Sequence, residues 1–269
     1  MTRHSIDNNG VEIAFDEAGE GRTIVWLHGM GEDRASWDPV TDLLAGAFRC
    51  VRIDFRGHGA STRLPHYEGA ELVTDLRVVV DATCDAPPLV VGHSLGGMIA
   101  TAGAALAITG PVVNIDQPLK LGGLAEVIRP LAGRLRDPGT YAAALHEVKV
   151  ALGMDLVPEP THAALERKGP PSDQNIVLDL WEPMLDGDAE TLQANDDGFE
   201  SILGRITQPY LAVHGLPVES GYEEWLTATI ATTAFEHWDG LGHWLHLVEP
   251  TRFANRIRTF AGAHPELET

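Results

Sequence analysis

The chain has 269 residues, 44% of them hydrophobic, enough for one large core. Its 39 acidic and 19 basic residues leave a formal charge of −20, which repels nucleic acid and anionic membranes and argues against both as partners. Two cysteines, Cys50 and Cys84, show no CxxC or metal-ligand spacing, so they read as buried free thiols suited to a reducing, cytoplasmic setting.

The N-terminal MTRHSIDNNG is polar and lacks the apolar centre of a signal peptide. VEIAFDEAG follows as an antiparallel edge strand. Apolar runs bounded by turns then recur as TIVWLHG (23–29), RCVRIDF (49–55), PLVVGHS (88–94), VVNID (112–116), YLAVHG (210–215) and FEHWDG (235–240). The first five each carry three or four apolar residues, as strands covered on both faces do. Helical patterns fill 36–47, 69–83, 95–109, 221–231 and 249–262. This alternation predicts a mostly parallel sheet with helices on both faces.

From Ala86 to Ile115 there is no Asp, Glu, Lys or Arg, a length that could span a membrane. Pro87, Pro88, Gly96, Gly97, Gly110 and Pro111 interrupt it, so a buried strand, helix and strand explain it better. Residues 119–204 break the alternation with Pro130, Pro138, Pro158, Pro160, Pro170, Pro171 and Pro183. Helical pieces such as GTYAAALHEVKVALG and NIVLDLWEPMLDG lie between these prolines, which predicts a helical cap over a core made of 1–118 and 205–269. HEVKV at His146 lacks the second histidine of a zinc-binding HExxH helix.

Chemistry concentrates in three places. GHSLGG (92–97) sits between a strand and an Ala-rich helix, the context in which G-x-S-x-G lifts a nucleophile onto a sharp turn. Gly92 and Gly96 leave room for that turn, and Ser94 is the candidate nucleophile. HGMGE (28–32) ends an earlier strand, and its Met30 N–H, with that of Leu95, is the candidate oxyanion hole. DGLGHWLH (239–246) offers His243 after a strand and a glycine turn. A serine needs an adjacent base, and His243 suits the role better than His246. His93 should point away into packing, and His28 and His58 should be structural hydrogen-bonders.

HGMGE, DFRGHGAS, GHSLGG and GLGHW occur in the order found in the α/β-hydrolase superfamily, which the chain resembles at both ends. The resemblance implies an eight-stranded, mostly parallel sheet, a helical cap and a Ser-His-acid triad. Serine at 94 separates the chain from the haloalkane dehalogenases and epoxide hydrolases, which place aspartate there. Most members carry the triad acid just past the glycine matching Gly215, but here VHGLPVESGY offers no carboxylate before Glu219. Some members, zearalenone lactonases and several dehalogenases among them, take the acid from the end of the preceding strand. Here that strand ends in Asp116. Asp116 is the expected acid and Glu219 the alternative.

The function expected is hydrolysis of a small, hydrophobic carboxylic ester or lactone through an acyl-enzyme, without metal or organic cofactor. A C–C bond hydrolase, a perhydrolase, an acyltransferase and a ligand receptor on the same fold are the alternatives. Trp181, Met154 and Leu119 are the candidate substrate contacts, beside Leu124 and Met184. The resemblance to the lactonases places a tryptophan in the cap near Trp181.

Overall fold

The computed structural model describes residues 2–167 and 173–264. Pro170 and Pro171 lie outside the described residues. In chain order the elements are β1 (Thr2–Asn8), β2 (Val11–Ala18), β3 (Thr23–Leu27), α1 (Asp38–Leu44), β4 (Arg49–Ile53), α2 (Gly69–Thr83), β5 (Leu89–His93), α3 (Leu95–Ala105) and β6 (Val112–Ile115). Then come α4 (Gly122–Ile128), α5 (Ala132–Arg136), α6 (Tyr141–Ala151), α7 (Thr161–Arg167), α8 (Gln174–Asp186) and α9 (Ala189–Leu203). The chain closes with β7 (Tyr210–His214), α10 (Tyr222–Thr229), β8 (Thr233–His237), α11 (Leu245–Val248) and α12 (Pro250–Gly262).

The eight strands form one sheet in the order β1-β2-β4-β3-β5-β6-β7-β8. β1 and β2 are antiparallel to their neighbours, and the strands from β4 to β8 run parallel. The edge differs from the sequence expectation. VEIAFDEAG is the second strand, and the polar TRHSIDN covers it as β1. Ile6 is the one apolar residue of this edge strand, so it carries no apolar alternation and reads as a polar terminus. β8 also sits two residues earlier than expected, because Trp238 leads directly into the turn before His243.

Successive side chains of a strand point to opposite faces, so each central strand feeds two cores. Val25, Leu27, Val51, Ile53, Val90 and Val112 pack on one side with α2, α3 and α10. Ile24, Trp26, Cys50, Leu89, Val91, Val113 and Ile115 pack on the other with α1 and α12. Each fully buried Leu, Ile or Val adds roughly 1.5–3 kcal/mol, which holds the parallel strand ends in fixed register. The uncharged stretch from Ala86 resolves into β5, α3 and β6, and no described helix is long and apolar enough to cross a membrane.

Helices α4 to α9 all fall between β6 and β7. They carry their own cluster, including Ile128, Leu135, Tyr141, Leu145, Val148, Ile176, Trp181 and Met184, against which Met30 and Leu64 pack. This insertion therefore touches the loop after β3.

Candidate active site

The turn from β5 into α3 is tightly constrained. Ser94 has φ 52° and ψ −121°, a backbone conformation that L residues rarely adopt. The glycines around it are required by close backbone approach. A Cβ on Gly92 would lie 2.1 Å from the Gly96 carbonyl oxygen, and one on Gly96 would lie 2.2 Å from that of Leu27. A Cβ on Gly97 would meet Asn114 Oδ1 at 2.4 Å. The turn leaves Leu95 as the first residue of α3, where backbone N–H groups have no partner within the helix.

The loop after β3 supplies a second N–H. Gly29 N–H reaches Glu32 Oε2 at 3.4 Å, and Gly31 N–H reaches His58 Nε2 at 3.2 Å. These bonds take the groups on either side of Met30. Lys149 on α6 donates from Nζ to the Gly31 carbonyl at 3.2 Å, fixing the loop from the insertion side. His28 and His58 stay with packing and loop bonds: Phe55 N–H donates to His28 Nε2 at 3.1 Å.

At the end of β6, Asp116 has φ 49° and is buried. Its Oδ1 accepts the backbone N–H groups of Gly215 at 2.7 Å and Leu216 at 3.0 Å. Its Oδ2 lies 2.6 Å from His243 Nδ1. Burial opposes its ionisation, but the His243 bond, the His243 and His214 charges and the Leu216 N–H outweigh it and hold the carboxyl below its ordinary range. His243 is buried too. Burial first, and then neighbouring His93, pull its pKa down against the opposing pull of Asp116, which keeps the ring neutral at neutral pH. With Nδ1 directed to Asp116, Nε2 is the nitrogen left for other work.

Glu219 borders the same cavity as Asp116 and His243 but is not the carboxylate that meets the ring. It is exposed at the start of the turn into α10, and among the described residues the carboxylate bonded to His243 is that of Asp116. His214, at the end of β7, is buried with Nδ1 3.8 Å from Asp116 Oδ1, and burial lowers its pKa to about 4.

Met30, Ser94, Leu95, Asp116 and His243 all line one cavity of about 480 Å³. The insertion provides an apolar wall to it, with Leu121, Leu124, Leu180, Trp181 and Met184. Two candidate contacts do not reach this wall. Met154 packs with Val157, Trp244 and Leu247 in a separate small core. Leu119 is buried in the sheet core, its N–H bonded to Tyr222 Oη at 2.8 Å. Both are apolar residues at the insertion's margins, and sequence pattern does not separate a core face from a cavity face.

The sequence reading also missed Glu32 and Trp244. Trp244 Nε1 donates to Glu32 Oε1 at 2.6 Å beside the cavity, and both residues line it.

Comparison with known proteins places this fold. A solved structure titled Est816 as an N-acyl homoserine lactone degrading enzyme superposes with a TM-score of 0.77 at 24% identity, covering 96% of this chain and 100% of that one. The enol-lactonase from Burkholderia xenovorans LB400 superposes with a TM-score of 0.68 at 23% identity, covering 96% of this chain and 99% of that one. Among curated sequences, the pimeloyl-[acyl-carrier protein] methyl ester esterase of Chromobacterium violaceum is 41% identical over 90 residues, 34% of each chain. The Danio rerio serine hydrolase-like protein is 36% identical over 83 residues, 30% of this chain and 26% of its own. The curated matches thus span only a minor part of the relatives' own length. The model of the alpha/beta hydrolase family matches residues 24–256, and with that span and this sheet the chain belongs to the alpha/beta hydrolase family.

Proposed function

We propose that the protein is a serine hydrolase of carboxylic esters or lactones that works through an acyl-enzyme. The observation that carries this is the 2.6 Å contact of His243 Nδ1 with an Asp116 carboxylate fixed by two backbone N–H groups, on the wall of the cavity that Ser94 lines. Asp116 holds the imidazole in the tautomer with Nε2 unprotonated, the form that accepts a proton from serine. Ser94 Oγ attacks the carbonyl carbon while His243 Nε2 takes its proton. The N–H groups of Met30 and Leu95 receive the oxyanion, an interaction whose loss typically costs about 100- to 1000-fold in rate. His243 then protonates the leaving alkoxide, which stays tethered if the substrate is a lactone. Water, deprotonated by the same nitrogen, releases the acid and restores Ser94.

The insertion acts as the cap that selects substrate, with Trp181 as its chief contact. A cavity of about 480 Å³ with an apolar cap wall suits a hydrophobic substrate of intermediate size. The esterase and lactonase names among the relatives support this class. The test is hydrolysis of short acyl esters, long acyl esters, small lactones and an aromatic macrolactone, with Ser94→Ala run beside wild type. Turnover of one class that vanishes in Ser94→Ala is expected. Equal turnover in Ser94→Ala would end the serine mechanism.

A further inference from the structure

A second carboxylate lies behind the catalytic histidine. The Glu32 side chain is 2% exposed and sits in the turn that carries Met30. Its Oε1 accepts from Trp244 Nε1 at 2.6 Å and lies 3.3 Å from His93 Nδ1, an ion-pair distance outside hydrogen-bond alignment. Its Oε2 accepts from Gly29 N–H at 3.4 Å. His93 in turn places Nε2 at 3.0 Å from the His243 carbonyl oxygen. A carbonyl only accepts, so Nε2 carries the hydrogen of that bond.

The sequence positions of these partners are informative. Gly29 precedes Met30, His93 precedes Ser94, and Trp244 follows His243. One buried anion thus contacts the chain neighbours of three active groups from three separate loops. The approach depends on Gly29, where a Cβ would lie 2.8 Å from His93 Nδ1 and 3.1 Å from Glu32 Oε1. A buried carboxylate is costly to keep, and the triad already has its acid in Asp116. Burial opposes the ionisation of Glu32, but His93, His246 and the Trp244 donor overcome this and hold its carboxyl well below the usual range.

We propose that Glu32 is a positioning residue for the hydrolysis, fixing the oxyanion turn, the nucleophile turn and the histidine loop to one charge that also favours the imidazolium form of His243. The inference rests on the reading of His243 as the base. Several groups face that ring. Asp116 is bonded to Nδ1, and the His93 ring lies tilted against it with centroids 4.5 Å apart. Trp244 meets it edge-on at 4.9 Å. His246 lies 4.6 Å beyond His93, and His214 lies 3.8 Å from the Asp116 carboxylate. Asp116 is the anion bonded to the ring, and Glu32 is a second anion one residue away, behind His93 and Trp244, so removing its charge makes His243 harder to protonate.

Two substitutions separate charge from packing. Glu32→Gln keeps size and an oxygen for Trp244 but removes the charge. Trp244→Phe removes the donor and keeps the charge. Initial rates are measured from about pH 5 to 9 on an ester that wild type turns over. For Glu32→Gln, kcat should fall about 10- to 100-fold with KM within about threefold, and the acid limb of kcat/KM should move to lower pH. Trp244→Phe should lose less kcat and leave the limb in place. An unmoved or raised limb in Glu32→Gln, or equal movement in both variants, overturns the proposal. Should Glu32→Gln fail to fold, Glu32→Asp decides, since the retained charge must leave the limb in place while kcat falls. Ser94→Ala runs alongside: activity there defeats the serine reading, whatever Glu32 does.

Discussion

Replacing Asp116 with asparagine changes one oxygen to an amide nitrogen, and the structure says where that change acts. Oδ1 already serves Gly215 and Leu216 N–H at 2.7 and 3.0 Å, so the asparagine carbonyl keeps that place. The NH₂ group must then take the place of Oδ2, 2.6 Å from His243 Nδ1. Two donors cannot face each other, so His243 gives up its Nδ1 proton and carries one on Nε2 instead. That tautomer cannot accept the Ser94 proton. A comparable tautomer switch in a serine protease triad costs about 10⁴-fold in kcat, or about 5.4 kcal/mol of transition-state stabilisation at 1.36 kcal/mol per tenfold. KM should change little, since Asp116 acts through His243 rather than through substrate. The assay is steady-state hydrolysis of the best ester found with wild type, with circular dichroism to check folding. Glu219→Gln, at an exposed position, should stay within about twofold of wild type. An Asp116→Asn enzyme within tenfold of wild type, paired with a collapsed Glu219→Gln, would refute the reasoning.

Other consequences are as direct. Burial lowers His58 to about 3 and His214 to about 4, against an ordinary value of 6.5, so both are neutral when folded and gain a proton when unfolded. Their stabilisation is complete above about pH 6.5 and is lost as pH falls toward those folded values, about 2 kcal/mol each between pH 7 and 5. Urea unfolding at the two pH values should show the loss, and an unchanged midpoint would contradict it. The Lys149 ammonium donates to the Gly31 carbonyl at 3.2 Å, so Lys149→Met should loosen the oxyanion turn. kcat should drop about tenfold, with a melting temperature near wild type; an unchanged kcat would count against the clamp. Trp181→Ala enlarges the apolar wall, so KM for a bulky hydrophobic ester should rise about tenfold while short acyl esters change less. A uniform change across esters, read from the same kinetics, would leave Trp181 with a packing role alone.

The sharp turn at Ser94 was legible because it has a local steric signature. Ser94 needs Gly92 and Gly96 beside it, and the backbone contacts at those positions explain why the motif reads so clearly. The buried strands were legible because both faces are covered, which leaves long apolar runs. The edge strand Thr2–Asn8 was not, since it is mostly exposed and Ile6 is its one apolar residue. The cavity wall was only partly legible. Trp181 reaches it, whereas Leu119 and Met154 are equally apolar but turn into cores, and a helix period does not say which neighbour a face meets. Glu32 escaped notice because its partners, His93 and Trp244, are far away in sequence.

The loop VHGLPVESGY poses a sharper problem, since it keeps its glycine but has no carboxylate at the usual place. The sheet explains both facts. β6 and β7 are parallel neighbours with Ile115 opposite Val213, so a residue just past the end of either strand reaches the same space. An acid on β6 and an acid after β7 are alternative ways of filling one position beside the histidine. Gly215 has duties that do not depend on which is used. A Cβ there would lie 2.2 Å from the Gly242 carbonyl oxygen, blocking the loop that brings His243 in. Its N–H also binds Asp116 at 2.7 Å. Once the acid sits on β6, the loop after β7 must still pass close to the histidine loop and must still donate, but Pro217, Val218 and Glu219 no longer need to supply charge. The Asp116 carboxylate thus reaches the space beside His243 from β6, and Gly215 makes room for the His243 loop whichever strand carries the carboxylate.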